Sequence, residues 1–284
     1  MKKIFALLML ITLLMTGCGG SQGGDAKKDS DANKIKIGMI TRLNASEESF
    51  GEFMKKVADT LDVKISSHVP VFFDNLNAMQ MALQSKQIDE ISTYRSVARY
   101  MIAKDKRYQV LKDHSLEFID SFCFALRDDE TKLRDSLNRV IEEMQSDGTL
   151  DRLTKEYITD INAETDPPAV ELPYFESAPT IKVAVTGDLP PLDFVSTNGK
   201  PEGFNTAVLA EIGTRMLKNI ELVKIDSGAR AAALTSGQVD VVFWAIVPVS
   251  EIIPTDSDKP NGVILTDPYF KDKIIHMTFK DEEK

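Results

Sequence analysis

Residues Ile181 to Asp240 read IKVAVTGDLPPLDFVSTNGKPEGFNTAVLAEIGTRMLKNIELVKIDSGARAAALTSGQVD. Ile181 to Val185 is a short apolar run and predicts a buried strand. It ends in the turn Gly187-Asp188-Leu189-Pro190-Pro191, and Ser196 to Gly199 reads as a polar hairpin. Gly203-Phe204-Asn205 opens a helix whose apolar positions are Val208, Leu209, Ile212 and Met216. A strand (Ile220 to Ile225), a helix (Ala229 to Ser236) and Gln238-Val239-Asp240 before a third strand complete the stretch. Strand, helix, strand, helix and strand with short loops is the pattern of an open parallel sheet covered by helices. Ligands of such sheets sit beyond the carboxyl ends of the strands, which directs attention to the turn from Gly187 to Phe194.

Three features of this stretch carry a family likeness: a strand followed by D-x-P-P-x-x-F, Gly-x-x-x-Gly-Phe opening a helix, and a helix ending L-x-x-G-x-V-D. In this order they resemble one lobe of the extracellular solute-binding proteins that serve ABC importers, in particular the polar amino-acid-binding group. The resemblance implies an α/β fold of the two-lobed periplasmic binding protein type II (Venus-flytrap) kind.

The first half of the chain resembles the other lobe. Ile35 to Ile40 predicts a strand, and Phe50, Phe53, Met54, Val57 and Leu61 fall on one helical face after a turn capped by Asn44 or Ser46. A strand within Val63 to Phe73, a helix carrying Leu76, Met79 and Leu83, a strand at Gln87 to Thr93 and a helix through Val97 and Met101 follow. Leu83-Gln84-Ser85-Lys86-Gln87-Ile88-Asp89 echoes Leu234-Thr235-Ser236-Gly237-Gln238-Val239-Asp240. After a strand at Phe118 to Leu126 come two helices joined by Asp147-Gly148-Thr149, which resemble the helices that normally end the family's chain. The family order is therefore inverted, and a circular permutation of the lobes accounts for it; two incomplete modules completed by domain swapping is the alternative.

The expected organisation is a lipoprotein signal peptide over 1–18, a flexible tether over 19–34, and a lobe over 35–119. A hinge strand with helices packing on the other lobe covers 120–160, a linker 161–179, and that other lobe 180–284. Lys2 and Lys3 followed by an apolar run too short to span a bilayer mark the signal peptide. Met15-Thr16-Gly17-Cys18 resembles a lipobox, which implies lipidation at Cys18; secretion with an incidental cysteine is the alternative. The tether has no apolar residue larger than alanine and a reach of roughly 20 Å. The linker carries four prolines and no helical period, and its Tyr174-Phe175 pair is expected to pack on a lobe.

The composition bounds the function. The chain has 284 residues, 43% hydrophobic and 27% charged, ample for a large core. Lys plus Arg number 34 against 44 Asp plus Glu, for a net charge of −10. Such a balance disfavours nucleic acid and anionic membrane surfaces as partners. His68, His114 and His276 stand apart with no zinc spacing, and no phosphate loop or nucleophile elbow occurs. Neither a metal nor a cofactor is expected. Cys123, within Ser121-Phe122-Cys123-Phe124, reads as a buried, inert thiol.

The resemblance implies a monomeric, lipid-anchored extracytoplasmic protein that captures an amino acid or related solute for an ABC permease. It places ligand contacts at Asp188, Phe194, Ser227, Arg230, Trp244, Ala245 and Val247 in one lobe. Those of the other are Arg42, Asn44, Ser46, Thr93 and Tyr94. Phe194 reads equally as core, and Arg230 equally as the partner of a nearby acid. Two departures bear on the ligand. The amino-acid binders carry an Arg after the third strand of the first lobe, whereas Trp244 to Ile252 contains none. Tyr94 stands where an Asp usually meets the ligand ammonium. A buried ligand charge without its partner costs about 2–5 kcal/mol. Either Arg42, Arg95 or Arg230 replaces the cation and Asp188 the anion, or the solute is less charged and stacks on Trp244 and Tyr94. Relatives that resemble cyclohexadienyl dehydratase make a lyase the enzymatic alternative, with Asp188 and Asp193 as its cleft acids; a sensor module is a third reading.

Overall fold

A computed structural model describes residues 34–41, 52, 55, 59, 68–111, 118–196, 199–248 and 259–280, without the side chains of 68 and 243–248. One mixed sheet forms the backbone of the molecule, in the order β10-β6-β11-β5-β13-β3-β1-β2, with β12 on β5 and β4 on β13. The strands are β1 (Ile35–Ile40), β2 (His68–Phe73), β3 (Glu90–Tyr94), β4 (Tyr108–Val110), β5 (Ile119–Arg127), β6 (Thr180–Val185), β10 (Asn219–Lys224), β11 (Val241–Pro248), β12 (Val263–Leu265) and β13 (Phe270–Phe279). A small second sheet joins β7 (Asp188–Leu189), β8 (Asp193–Val195) and β9 (Pro201–Glu202).

The large sheet consists of two lobes of like construction. In one, β1 lies parallel between β2 and β3, and β13 runs antiparallel beside β3. In the other, β6 lies parallel between β10 and β11, and β5 runs antiparallel beside β11. The antiparallel member of each lobe arrives from the opposite half of the chain. Where they leave one lobe for the other, β5 and β13 pair with each other, Phe270 with Phe122 through Lys273 with Ile119. Two adjacent crossing strands therefore join the lobes, and the α/β, two-lobed expectation is met.

The helices follow from apolar spacing. α1 (Leu76–Gln84) buries Leu76, Met79 and Leu83, with Asn75 Oδ1 accepting the Ala78 N–H as its N-cap. α2 (Arg95–Lys104) buries Val97, Ala98 and Met101. α3 (Thr131–Ser146) buries Leu137, Val140, Ile141 and Met144, a three-and-four spacing that makes one apolar stripe. α4 (Thr149–Thr154) continues as a π-helical turn, Lys155–Thr159, that buries Tyr157. α5 (Phe204–Met216) is buried over most of its first nine residues. α6 (Arg230–Thr235) is short and follows the 3-10 turn Ser227–Ala229. Gly203 starts α5 at φ 106, and a Cβ there would lie 2.6 Å from the Leu192 carbonyl oxygen, so only glycine fits. The close approach lets Phe204 and Asn205 donate their N–H groups to Pro191 and Leu192.

Two expectations are adjusted. β3 begins at Glu90 rather than Gln87, because Lys86 adopts a left-handed φ of 59 and the chain turns there. Tyr174 does not pack on a lobe, being 82% exposed, while its neighbour Phe175 is tied through its backbone to Asn219. Residues 160–179 contain neither helix nor strand, only a bridge from Ala169 to Glu202. Glu52, Lys55 and Asp59 are helical and exposed, whereas the apolar positions Phe50, Phe53, Met54, Val57 and Leu61 lie outside the described residues. Cys18 and the segment around it also lie outside them. Cys123 is buried and free, and burial pushes its thiol up to about 12. No described helix is long and apolar enough to cross a membrane.

Candidate functional site

The site lies where the carboxyl ends of the parallel strands of the two lobes face each other, as open α/β sheets dictate. From the lobe of β6 comes Asp188, directly after the strand. The Pro190-Pro191 bond that follows is cis. Asp188 Oδ2 accepts the Leu76 N–H of the opposite lobe at 2.9 Å. Burial pushes the Asp188 carboxyl above its ordinary value, against the opposing pull of the Leu76 and Asn77 N–H groups and Lys224; Asp226 adds to the rise.

The reciprocal contact comes from the lobe of β1. Asp74 follows β2, and its carbonyl accepts the Ser227 N–H at 3.1 Å. Its Oδ1 accepts the Gly228 N–H at 3.2 Å, and Thr41 Oγ1 also donates to it at 3.4 Å. Arg230 is only 1% exposed. It donates from Nε to the Ser227 carbonyl at 3.2 Å and from Nη2 to the Thr41 carbonyl at 3.1 Å, the latter across the cleft. Two of its contacts are thus backbone carbonyls, one from each lobe. The hydroxyl of Ser227 is buried without a hydrogen-bond partner.

The remaining predicted residues divide. Phe194 is half-buried, with its ring centroid 6.3 Å from that of Tyr100 on α2, so it packs toward the opposite lobe. Thr93 is buried at the end of β3. Tyr94, half-buried, sets its ring edge-on to Phe122 of the crossing strand, centroids 4.8 Å apart. Trp244, Ala245 and Val247 lie in β11, where Ala245 pairs with Cys123 and Val247 with Ser121; their side chains lie outside the described residues. Arg42, Asn44 and Ser46 also lie outside them. Arg95 is 60% exposed and 3.8 Å from Asp272, beside the crossing strands.

Asp193 is not available as a cleft acid. It is 1% exposed, and it accepts from the backbone of Thr186 and Gly187 and from the Thr186 hydroxyl. These bonds shape the turn that presents Asp188. Asp74 and Thr41 were not singled out by sequence. Asp74 reads as a helix start, yet it ends a parallel strand as Asp188 does, and that shared position was the usable signal. Among the described residues no group of three or more His, Cys, Asp or Glu could hold a metal ion. His276 faces Glu90, Nδ1 to Oε2 at 3.1 Å.

Carboxylates, a buried guanidinium, a hydroxyl and an aromatic ring thus converge from both lobes. The set can accept from N–H donors, donate to carboxylate or carbonyl oxygens and pack against an apolar body.

Residues 181–282 match the family model described as bacterial extracellular solute-binding proteins, family 3, in agreement with the likeness read from Ile181 to Asp240. No curated protein matches the chain. Among solved structures, the chain is similar to a zinc-bound ligand-binding component of an ABC-type import system from Staphylococcus aureus. That match has 11% identity and a TM-score of 0.44, over 87% of this chain and 66% of the other. It is also similar to the GluR0 ligand-binding core complexed with L-glutamate, at 10% identity and a TM-score of 0.39, over 89% and 87%. A third is the alkanesulfonate-binding protein SsuA from Xanthomonas axonopodis pv. citri bound to MOPS, at 8% identity and a TM-score of 0.39, over 88% and 67%. At these identities the likeness assigns no ligand to this cleft.

Proposed function

We propose that this protein captures a small organic solute, an amino acid or a related compound, between its two lobes and delivers it to an ABC importer. The observation that carries the reading is the pair of crossing strands, β5 and β13, joining two like lobes whose strand ends face each other. Such a joint lets the lobes swing as rigid bodies, and a solute that binds both faces shifts the balance toward closure. The family match over 181–282 supports a solute-binding role and an extracytoplasmic location. Anchoring through a lipidated Cys18 and docking of the closed form on a membrane permease complete the reading.

Within the cleft, Asp188 and Asp74 meet N–H or ammonium groups, Arg230 and Ser227 meet oxygens, and Tyr94 with Trp244 packs the solute body. Phe194, Thr93, Ala245, Val247, Arg42, Asn44 and Ser46 line it. We read the chain order as a circular permutation: each lobe receives its antiparallel strand from the other half of the chain, and 161–179 bridges the former ends. Light scattering tests this against domain swapping, with a monomer expected and a dimer refuting it. The bonds that hold Asp193 to its own turn remove it as a cleft acid, and Asp188 and Asp74 each sit on backbone N–H groups of the opposite lobe, which supports binding over turnover.

Calorimetry of the purified protein against amino acids, small carboxylates and sulfonates tests the function. One chemical class should bind at one site per chain, and Arg230→Met should weaken it at least tenfold. If no class binds, or if a ligand is turned over, the proposal fails.

A further inference from the structure

We infer that the cleft carries its own latch, made of two aspartates that each lobe extends to the other. Asp188 leaves the lobe of β6 and takes the Leu76 N–H at 2.9 Å, with Asn77 N–H beside it. These two N–H groups open α1, where the helix itself offers them no acceptor. Asp74 leaves the lobe of β1 and takes the Gly228 N–H at 3.2 Å through its carboxylate and the Ser227 N–H at 3.1 Å through its carbonyl. Arg230 adds a third tie, its Nη2 on the Thr41 carbonyl at 3.1 Å. All are contacts between lobes, made far from the crossing strands in sequence, and all must break when the lobes part.

The arrangement is reciprocal. Each lobe contributes an acid from a strand end and receives one on backbone N–H groups, so the two acids do not face each other and neither demands a cation. Closure therefore has a driving force that belongs to the chain itself. A solute that enters competes with this latch, displacing Asp188 or Asp74 from the N–H groups or binding beside them. A ligand group that accepts hydrogen bonds can replace either acid, so the latch works as an autoinhibitory contact that sets a threshold for binding. The contacts between the lobes belong to the chain itself, whereas the threshold that they set for a solute rests on the solute-binding proposal.

Amide hydrogen exchange on the full chain tests it, without any ligand. Leu76, Asn77, Ser227 and Gly228 should be protected in the unsubstituted protein. Asp188→Ala should speed Leu76 and Asn77 about tenfold, the loss expected for a hydrogen bond to a charged group. It should also speed Ser227 and Gly228, although they lie on the other contact, because the lobes separate together. Asp74→Ala should produce the mirror result. Gln80 to Gln84, within α1, should keep their rates in both variants, which separates unlatching from unfolding. Asp188→Asn keeps an acceptor and should retain the protection. Acceleration confined to the amides next to the substituted residue would reduce the aspartates to local caps and overturn the latch. If an alanine variant fails to fold, the unsubstituted protein still decides: unprotected Leu76 and Gly228 amides refute the inference.

Discussion

The helix-to-strand corners of the two lobes, Leu83 to Asp89 and Leu234 to Asp240, are nearly superimposable in their bonds and unequal in their supports. In the first, Lys86 donates to the Leu83 carbonyl and Gln87 to that of Ala82; in the second, Gly237 donates to Leu234 and Gln238 to Ala233. Each corner then ends in an aspartate that pins its own central strand. Asp89 donates its N–H to the Lys36 carbonyl and accepts the Lys36 N–H at 2.8 Å. Asp240 does the same with Lys182, at 2.9 Å. The difference lies at two points. The left-handed residue is Lys86 in one corner and Gly237 in the other, at φ 59 and 74. Only the second corner receives Arg127 from β5, whose guanidinium donates to the Val239 carbonyl at 2.8 Å and pairs with Asp240 at 3.4 Å. One hydrogen-bond pattern thus closes the corner in both lobes, while the glycine and the guanidinium occur at the second alone and the first has the Thr278 hydroxyl of β13 on the Asp89 carbonyl at 2.9 Å.

The largest test of this equivalence is at the buried leucines. Leu83→Ala and Leu234→Ala should each lower stability by about 2–5 kcal/mol in denaturant titration. Leu83 is 4% and Leu234 0% exposed, so closely matched losses are expected. A loss below about 1 kcal/mol at either leucine would break the comparison, since a packed corner cannot give up a leucine so easily. Next in size are the aspartates. Asp89→Ala should cost about 1 kcal/mol by freeing an exposed strand N–H. Asp240→Ala should cost more, because Arg127 loses a partner as well; equal losses would show Arg127 to be inert there.

A smaller effect belongs to the left-handed position. Lys86→Gly should raise stability by about 0.5 kcal/mol, and Gly237→Ala should lower it by about 1 kcal/mol. No atom lies within 4 Å of a Cβ built at Gly237, so its cost is conformational alone. Thermal unfolding of both variants reads the sign. The smallest effect concerns the helices that only the lobe of β6 receives. The Thr149 N–H and hydroxyl and the Arg215 guanidinium beside Asp147 hold its carboxyl down at about 2. A depressed carboxylate contributes stability above its unfolded value and loses it as pH falls. Acid titration from 3.8 towards about 2 should therefore weaken this lobe, and Asp147→Asn should flatten that part of the profile.

Much of the fold was legible because its signals are local. Val183, Leu209, Ile212, Leu137 and Ile141 announce their strands and helices by spacing alone, and all are buried. The echo at Asp89 and Asp240 was visible as sequence, although its meaning, a clamp on the neighbouring strand, was not. At the candidate site, Asp188 and Arg230 were named from the family resemblance, which points to strand ends and helix starts. Asp74 and Thr41 were missed because their roles depend on partners 154 and 189 residues away. Asp193 looked like a cleft acid because a carboxylate beside Asp188 gives no sign, in sequence, of where its own bonds go.

By itself the sequence determined the α/β elements and the twofold repetition of the corner. Those properties reside in periodicity and motif, which neighbouring residues settle among themselves. The tertiary structure alone decided that β5 and β13 cross side by side. It alone decided that Tyr94 turns its ring to Phe122 and that Asp188 and Asp74 reach helix starts in opposite lobes. Hydrogen bonds to backbone N–H groups carry no residue-type signature at the donor, so Leu76 and Gly228 could not advertise the acids that they receive.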